Sequence, residues 1–380
     1  MGNRCAFMKL HLDKNAPPTP CDSPNLQNQI ESGYFRLPDS KVARVVTLDY
    51  LTRVFEYTME FLTKKIDKTF LDVTRIEFWI TKPASSGDEA QHITAKVAKE
   101  AAEAAGFAEN GLENFFGLVA ESDAALTAIL LEISDETLTV CIAFLFFSIL
   151  PVLLLHTNNV AWLTVLMWYN TARENIRVCD GGAGQADITV YKLTAVIPQI
   201  KLEQKTITQG PKCGAAQIDL RLHAFMEHKF QDNFKELPAE AKDLGSPFMK
   251  DFEINKRTFN KPTAGHHQRL IPMRLFMENA KSKYYRQSGH VVLTENMMEW
   301  MFDPVVKKII ELISQQVETA DQLADGKVTD IASVGGLGDS PYLRSKLRDW
   351  WEDQNQAIKL QDRYELTHVE IACYGLYVSR

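Results

Sequence analysis

Val178-Cys-Asp-Gly-Gly-Ala-Gly-Gln-Ala-Asp-Ile-Thr-Val-Tyr-Lys-Leu193 reads as two strands joined at a glycine-rich turn. Ile176 and Val178 lead into Gly181, Gly182 and Gly184, after which Ile188, Val190 and Leu193 resume a roughly alternating apolar pattern. That pattern signals a hairpin whose loop is longer than two residues. A carboxylate flanks each end of the turn, at Asp180 and Asp187. Such a turn can present backbone N–H groups to phosphate oxygens, while the flanking carboxylates hold a hydrated metal or a water on the same phosphates. An ordinary glycine-rich hairpin accounts for the same residues, because short glycine motifs recur by chance. Both readings stand open on this stretch alone.

Working outward, Asp330-Ile-Ala-Ser-Val-Gly-Gly-Leu-Gly-Asp-Ser-Pro-Tyr-Leu343 reads as a strand ending in Gly335-Gly336 and passing into a helix that begins at Ser340. Between the two glycine turns, a helix over Phe248 to Phe259 places Glu253, Lys256 and Arg257 on one face at i, i+3 and i+4. By itself that face is explained by solvated salt bridges. In this order the three segments resemble the nucleotide-binding domain of the seventy-kilodalton heat-shock chaperone family, an α/β, two-lobed actin-like ATPase. The resemblance runs from about Lys9 to the last helix. It implies that Gly182, Gly184 and Gln185 form the second phosphate loop and that Glu253, Lys256 and Arg257 hold the adenosine. It further implies that Gly335, Gly336 and Ser340 close the adenine pocket and that Gly214 touches phosphate. ATP or ADP with Mg2+ is the implied cofactor pair, with Asp180, Asp187 and Glu121 as catalytic residues and the two aspartates on the metal through water.

Composition bounds the answer independently. A chain of 380 residues with 45% hydrophobic and 24% charged residues buries a sizeable core and is expected to form two lobes. A net charge of -7 argues against a nucleic-acid partner, which calls for a basic face. Cys5, Cys21, Cys141, Cys179, Cys213 and Cys373 are scattered without metal-ligand spacing, so reduced thiols and a cytoplasmic location are expected.

Upstream of the hairpin, Val45, Val46, Leu48, Leu51, Val54, Phe55, Met59 and Leu62 fall at helical spacing and mark one expected buried face. A strand around Ile76 to Ile80, an alanine-rich helix from Asp88 and a second strand over Phe115 to Ala120 follow. Glu121-Ser-Asp-Ala-Ala125 then opens a helix. The family reads Glu-Pro-x-Ala-Ala there, so Glu121 is kept and Ser122 replaces proline; a glutamate at a helix start also suits the helix dipole. The family's first phosphate loop, of the Asp-x-Gly-Thr-Thr kind, finds no matching segment in the sequence, and no substrate-binding β domain is expected after the last helix, itself expected over Val369 to Val378.

One stretch does not fit. Thr137 to Leu155 is apolar and uncharged, and long enough for a membrane span. Glu121 and Asp180 flank it yet are expected to face one nucleotide, so a single crossing would separate them. A foreign insertion such as translated intron sequence is the favoured reading, and a membrane anchor the alternative. The expected division is a first-lobe remnant over 1–136, the insertion over 137–175 and a second lobe over 176–380.

Gln185 stands where the family has threonine, Ala183 where it has glycine, and Ala215 and Ala216 replace polar partners of Gly214. Each lost contact to developing phosphate charge costs on the order of 2 to 4 kcal/mol, so weak or lost hydrolysis is expected. An active Mg-dependent ATPase and a nonfunctional fragment of a misassembled gene are the alternatives. Protein partners are not legible.

Overall fold

The computed structural model describes residues 12, 41–71, 77–82, 88–105, 115–127, 175–182, 184–195, 201–208, 210, 212–260, 268–275, 283–286, 288–323, 328–353 and 359–360. The apolar stretch 137–155, the end helix expected over 369–378, Lys9 and Ala183 lie outside these residues. Among the described residues, no helix is long and apolar enough to cross a membrane.

The fold is mixed α/β. In the first part of the chain, α1 (Ala43–Lys65), α2 (Lys68–Leu71), β1 (Glu77–Lys82), α3 (Asp88–Ala104) and β2 (Phe115–Ala120) come in that order. β1 and β2 pair in parallel, as a strand–helix–strand crossover requires. Phe55 of α1 packs against Ala101 and Ala102 of α3, with Leu48, Leu51, Met59 and Ile80 around them. Small alanines on α3 let the two helices approach closely. Val54, expected in that buried face, is instead 40% exposed and lines up with exposed Tyr50, Tyr57 and Phe61. The helical period places Phe55 inward and its neighbour Val54 outward, so a run of adjacent apolar residues cannot all be buried.

The second part is built on a five-stranded sheet in the order β10-β9-β3-β4-β5. Its strands are β3 (Asn175–Gly181), β4 (Ala186–Ala195), β5 (Lys201–Gln204), β9 (Val328–Val334) and β10 (Lys359–Leu360). β3 runs parallel to β9 and antiparallel to β4, so the glycine hairpin and the Gly335-Gly336 strand end leave the sheet side by side. Asp180 and Asp187 are register partners across the hairpin, one on each strand that flanks the glycine turn, as expected. β5 runs along the sheet's edge, and Ala195 belongs to β4.

The helices that cover this sheet are α4 (Ala216–Phe230), α5 (Asp232–Lys235), α6 (Ala239–Lys242), α7 (Pro247–Arg257), α8 (Glu295–Gln322), the single turn α9 (Gly335–Gly338) and α10 (Pro341–Asp353). Ser246 caps α7 by accepting from the Met249 amide at 3.1 Å, and Pro247 follows where its missing N–H costs nothing. α8 begins after the N-cap Thr294, and Pro304 lies inside it. Ser340 precedes α10 rather than opening it, as Pro341 takes the first helical position. A small antiparallel sheet, β6 (Gln268–Pro272), β8 (His290–Thr294) and β7 (Tyr285–Arg286), has no counterpart in the sequence reading. The main core joins Ile188 of β4, Ile331 of β9, Phe252 of α7, Phe302 of α8 and Leu343 of α10.

Candidate functional site

A cleft of about 240 Å³ opens between α4, α7 and the turn that follows β9. Glu253, Lys256 and Arg257 line it from α7, and Gly336, Leu337 and Ser340 from the turn. Ala215, Ala216 and Asp219 line it from the start of α4, with Phe302 of α8 behind. Five of the residues singled out in the sequence therefore share one wall or the other: Glu253, Lys256, Arg257, Gly336 and Ser340.

The α7 wall is held by charge. The Lys256 ammonium lies 2.7 Å from Asp219 Oδ1 and 2.6 Å from Glu253 Oε2, and the Arg257 Nε donates to Glu253 Oε1 at 2.9 Å. Asp219 and Lys256 are buried, whereas the Arg257 side chain is 73% exposed. Burial raises the Asp219 carboxyl to about 6, despite the opposing pull of Lys256. Burial works against the charged form of Lys256, but Asp219 and Glu253 outweigh it and hold the ammonium above its ordinary value. For Glu253 burial again opposes ionisation, and Lys256 with Arg257 overcomes it, so that carboxyl lies below its usual range. Two carboxylates thus balance two cations, and the cleft carries no net charge of its own. An ammonium has three hydrogens. Two of those on Lys256 are spent on Asp219 and Glu253, and the third has no acceptor among the described residues.

Backbone conformation holds the opposite wall. Gly335 has φ +82°, a left-handed value that costs an L residue roughly 1–2 kcal/mol. The carbonyl of Gly338 accepts from Ser333 Oγ at 2.9 Å and from Arg344 Nε at 3.2 Å, while Arg344 also pairs with Asp339 at 2.5 Å. Those contacts fix the turn and leave Gly336 exposed at the cleft. Ser340 is buried, and its Oγ lies 3.5 Å from the Leu343 amide. Beneath the floor, Phe259 stacks on Tyr342 at 4.6 Å, and Phe302 meets both rings.

The hairpin turn abuts this cleft without lining it. A Cβ on Gly181 would stand 2.7 Å from the Gly338 amide nitrogen, so the hairpin and the β9 turn touch backbone to backbone. The Ala215 amide donates to Gly182 O at 3.2 Å, the Gly214 amide to Gly184 O at 3.3 Å and the Gly182 amide to Gln185 O at 3.0 Å. The amides of Gly182 and Gly214 are consequently occupied by protein carbonyls. Asp187 is buried and accepts from Gln185 Nε2 at 2.9 Å. Among the described residues no group of three or more His, Cys, Asp or Glu side chains assembles that could hold a metal directly.

Glu121 is not among the cleft's lining residues. It begins a helical segment over 121–127 that meets the second sheet at Tyr191 of β4. The Tyr191 hydroxyl donates to Asp123 Oδ1 at 2.5 Å and lies 2.8 Å from Ser122 Oγ. Asp187, Thr189 and Tyr191 alternate along β4 and share one face of the sheet, all three buried.

Asp219 escaped the sequence reading. A carboxylate in the first turn of a helix reads as a dipole-favouring surface residue. Its flanks, Ile218 and Leu220, are buried, and the apolar run around it was the available signal. No protein-family model matches the chain, and no curated protein matches it in sequence.

Proposed function

We propose that the chain is a heat-shock-70-like nucleotide-binding module of the two-lobed actin-like ATPase type, which binds ATP or ADP with weak or lost hydrolysis. The observation that carries this reading is the convergence of Glu253, Lys256 and Arg257 with Gly336 and Ser340 on one cleft of nucleoside size, although these motifs lie far apart in the chain. An electrically balanced wall suits an uncharged base and sugar better than a phosphate. The Lys256 ammonium hydrogen that finds no acceptor among the described residues and the Glu253 carboxylate offer a donor and an acceptor to sugar hydroxyls. The exposed backbone of Gly336 lets a flat ring approach closely.

In this reading the phosphates lie toward the hairpin, near Gly182, Gly184, Gln185 and Gly214. Mg2+ keeps most of its waters and needs few protein oxygens, so Asp187, with Asp180 opposite in register, suits a hydrated ion held through water. Bound there, the ion would neutralise phosphate charge. The occupied amides of Gly182 and Gly214 remove two donors from that end, which supports weak hydrolysis.

Isothermal titration calorimetry with ADP and ATP is the test. Saturable heat that disappears in Lys256→Met is expected, and no heat at millimolar nucleotide removes the proposal. An active Mg-dependent ATPase is the second reading, favoured by the register pairing of Asp180 with Asp187. It requires phosphate release that is abolished in the Asp180→Asn, Asp187→Asn double variant.

A further inference from the structure

The contact at Tyr191 joins two parts of the chain that the proposed site needs together. A tyrosine hydroxyl carries one hydrogen. With that hydrogen donated to Asp123 Oδ1 at 2.5 Å, the 2.8 Å contact to Ser122 must be the serine hydroxyl donating to the Tyr191 oxygen. Ser122 and Tyr191 are both buried, at 0% and 2% exposure, so the bond between them is shielded from water, while Asp123 is half-buried. Burial, and then acceptance by Asp123, push the Tyr191 hydroxyl well above its ordinary range, so it stays protonated and remains a donor.

Its placement gives the contact meaning. Glu121 immediately precedes Ser122, and Tyr191 stands on the face of β4 that also carries Asp187 and Thr189. We infer that Tyr191 is a positioning residue, a latch that ties the 121–127 segment to β4 through Ser122 and Asp123 and so sets Glu121 over the Asp187 face of the site. The latch involves no residue of the cleft wall. Its effect is confined to the phosphate end, and this second part rests on the nucleotide reading above.

Hydrogen exchange by mass spectrometry on the unliganded full chain tests the latch without reference to any ligand. In Tyr191→Phe the amides of 121–127 are expected to exchange roughly tenfold faster, the loss of about one shielded hydrogen bond, while α7 and β9 keep their protection. Asp123→Asn retains a carbonyl acceptor and is expected to preserve protection, whereas Asp123→Ala loses it. Unchanged exchange in both Tyr191→Phe and Asp123→Ala overturns the latch. The ligand arm compares Mg-ATP with adenosine: Tyr191→Phe should weaken Mg-ATP several-fold and leave adenosine unchanged. Equal weakening of both ligands reduces Tyr191 to a general structural role. A wild-type chain that binds neither defeats the nucleotide reading, and the exchange arm still decides the latch.

Discussion

The two ends of the cleft region are built on opposite plans. At the α7 end, buried charge is assembled at cost: Lys256 is drawn out of water and held between Asp219 and Glu253, with one hydrogen left unspent among the described residues. At the hairpin end the polar groups are turned on one another, Gly182 to Gln185, Gly214 to Gly184 and Gln185 to Asp187. A site keeps buried polar groups open only where something else completes them, because an unsatisfied group costs about 1–3 kcal/mol. On the proposed reading, the contrast separates recognition of a nucleoside at the α7 end from grip on its phosphates at the hairpin end, and predicts that the first is the stronger.

The largest effect that would break the contrast is at Lys256. Lys256→Met leaves Asp219 buried without its partner and is expected to destabilise the fold by on the order of 3 to 5 kcal/mol, read from denaturant melts. A loss below about 1 kcal/mol would mean that the charged wall is dispensable. Next in size is Gly181→Ala. Its methyl meets the Gly338 backbone at 2.7 Å, and an overpacking loss of about 1 to 3 kcal/mol is expected in the same melts.

The contrast itself is sharpened by comparing ligands. If the hairpin end contributes little, adenosine and ATP should bind within about tenfold of one another, or about 1.4 kcal/mol, in competition titrations. An ATP preference of several hundredfold would show that the hairpin amides are released to phosphate on binding.

A smaller effect comes from pH. The Asp219 carboxyl titrates near 6 in the fold against 3.8 for an ordinary aspartate, so the folded chain takes up this proton more readily than the unfolded one. Its contribution to stability is complete below pH 3.8 and is lost as pH rises through 6. Relative to Asp219→Asn, the wild-type chain should lose stability across that window and run parallel above it. A flat difference would mean that Lys256 keeps Asp219 ionised throughout.

Much of this was legible from residue spacing, and the failures have physical causes. The face of α7 was readable because i, i+3 and i+4 spacing depends on helix geometry alone, and the strand endings at Gly181 and Gly335 because glycine punctuates backbone. Asp219 was hidden because spacing does not report depth. Tyr191, Ser122 and Asp123 were hidden because their meeting depends on how distant segments dock. The sheet of β6, β7 and β8 was missed since Gln268–Pro272 and Tyr285–Arg286 are too short to display alternation. An actin-like arrangement of lobes stays with the proposal, for the spacing speaks only to the separate motifs.

The parallel pairing of β3 with β9 carries a consequence for synthesis. Asn175 finds Val328 only after every helix that forms the α7 wall has been made, and Ser340 is made later still. A ribosome-bound chain halted before β9 therefore holds the Glu253–Lys256 wall without the Gly336 and Ser340 side of the cleft. On the nucleotide proposal such a nascent chain presents only part of the site, and ligand would stabilise the protein fully only after Ser340 has been made.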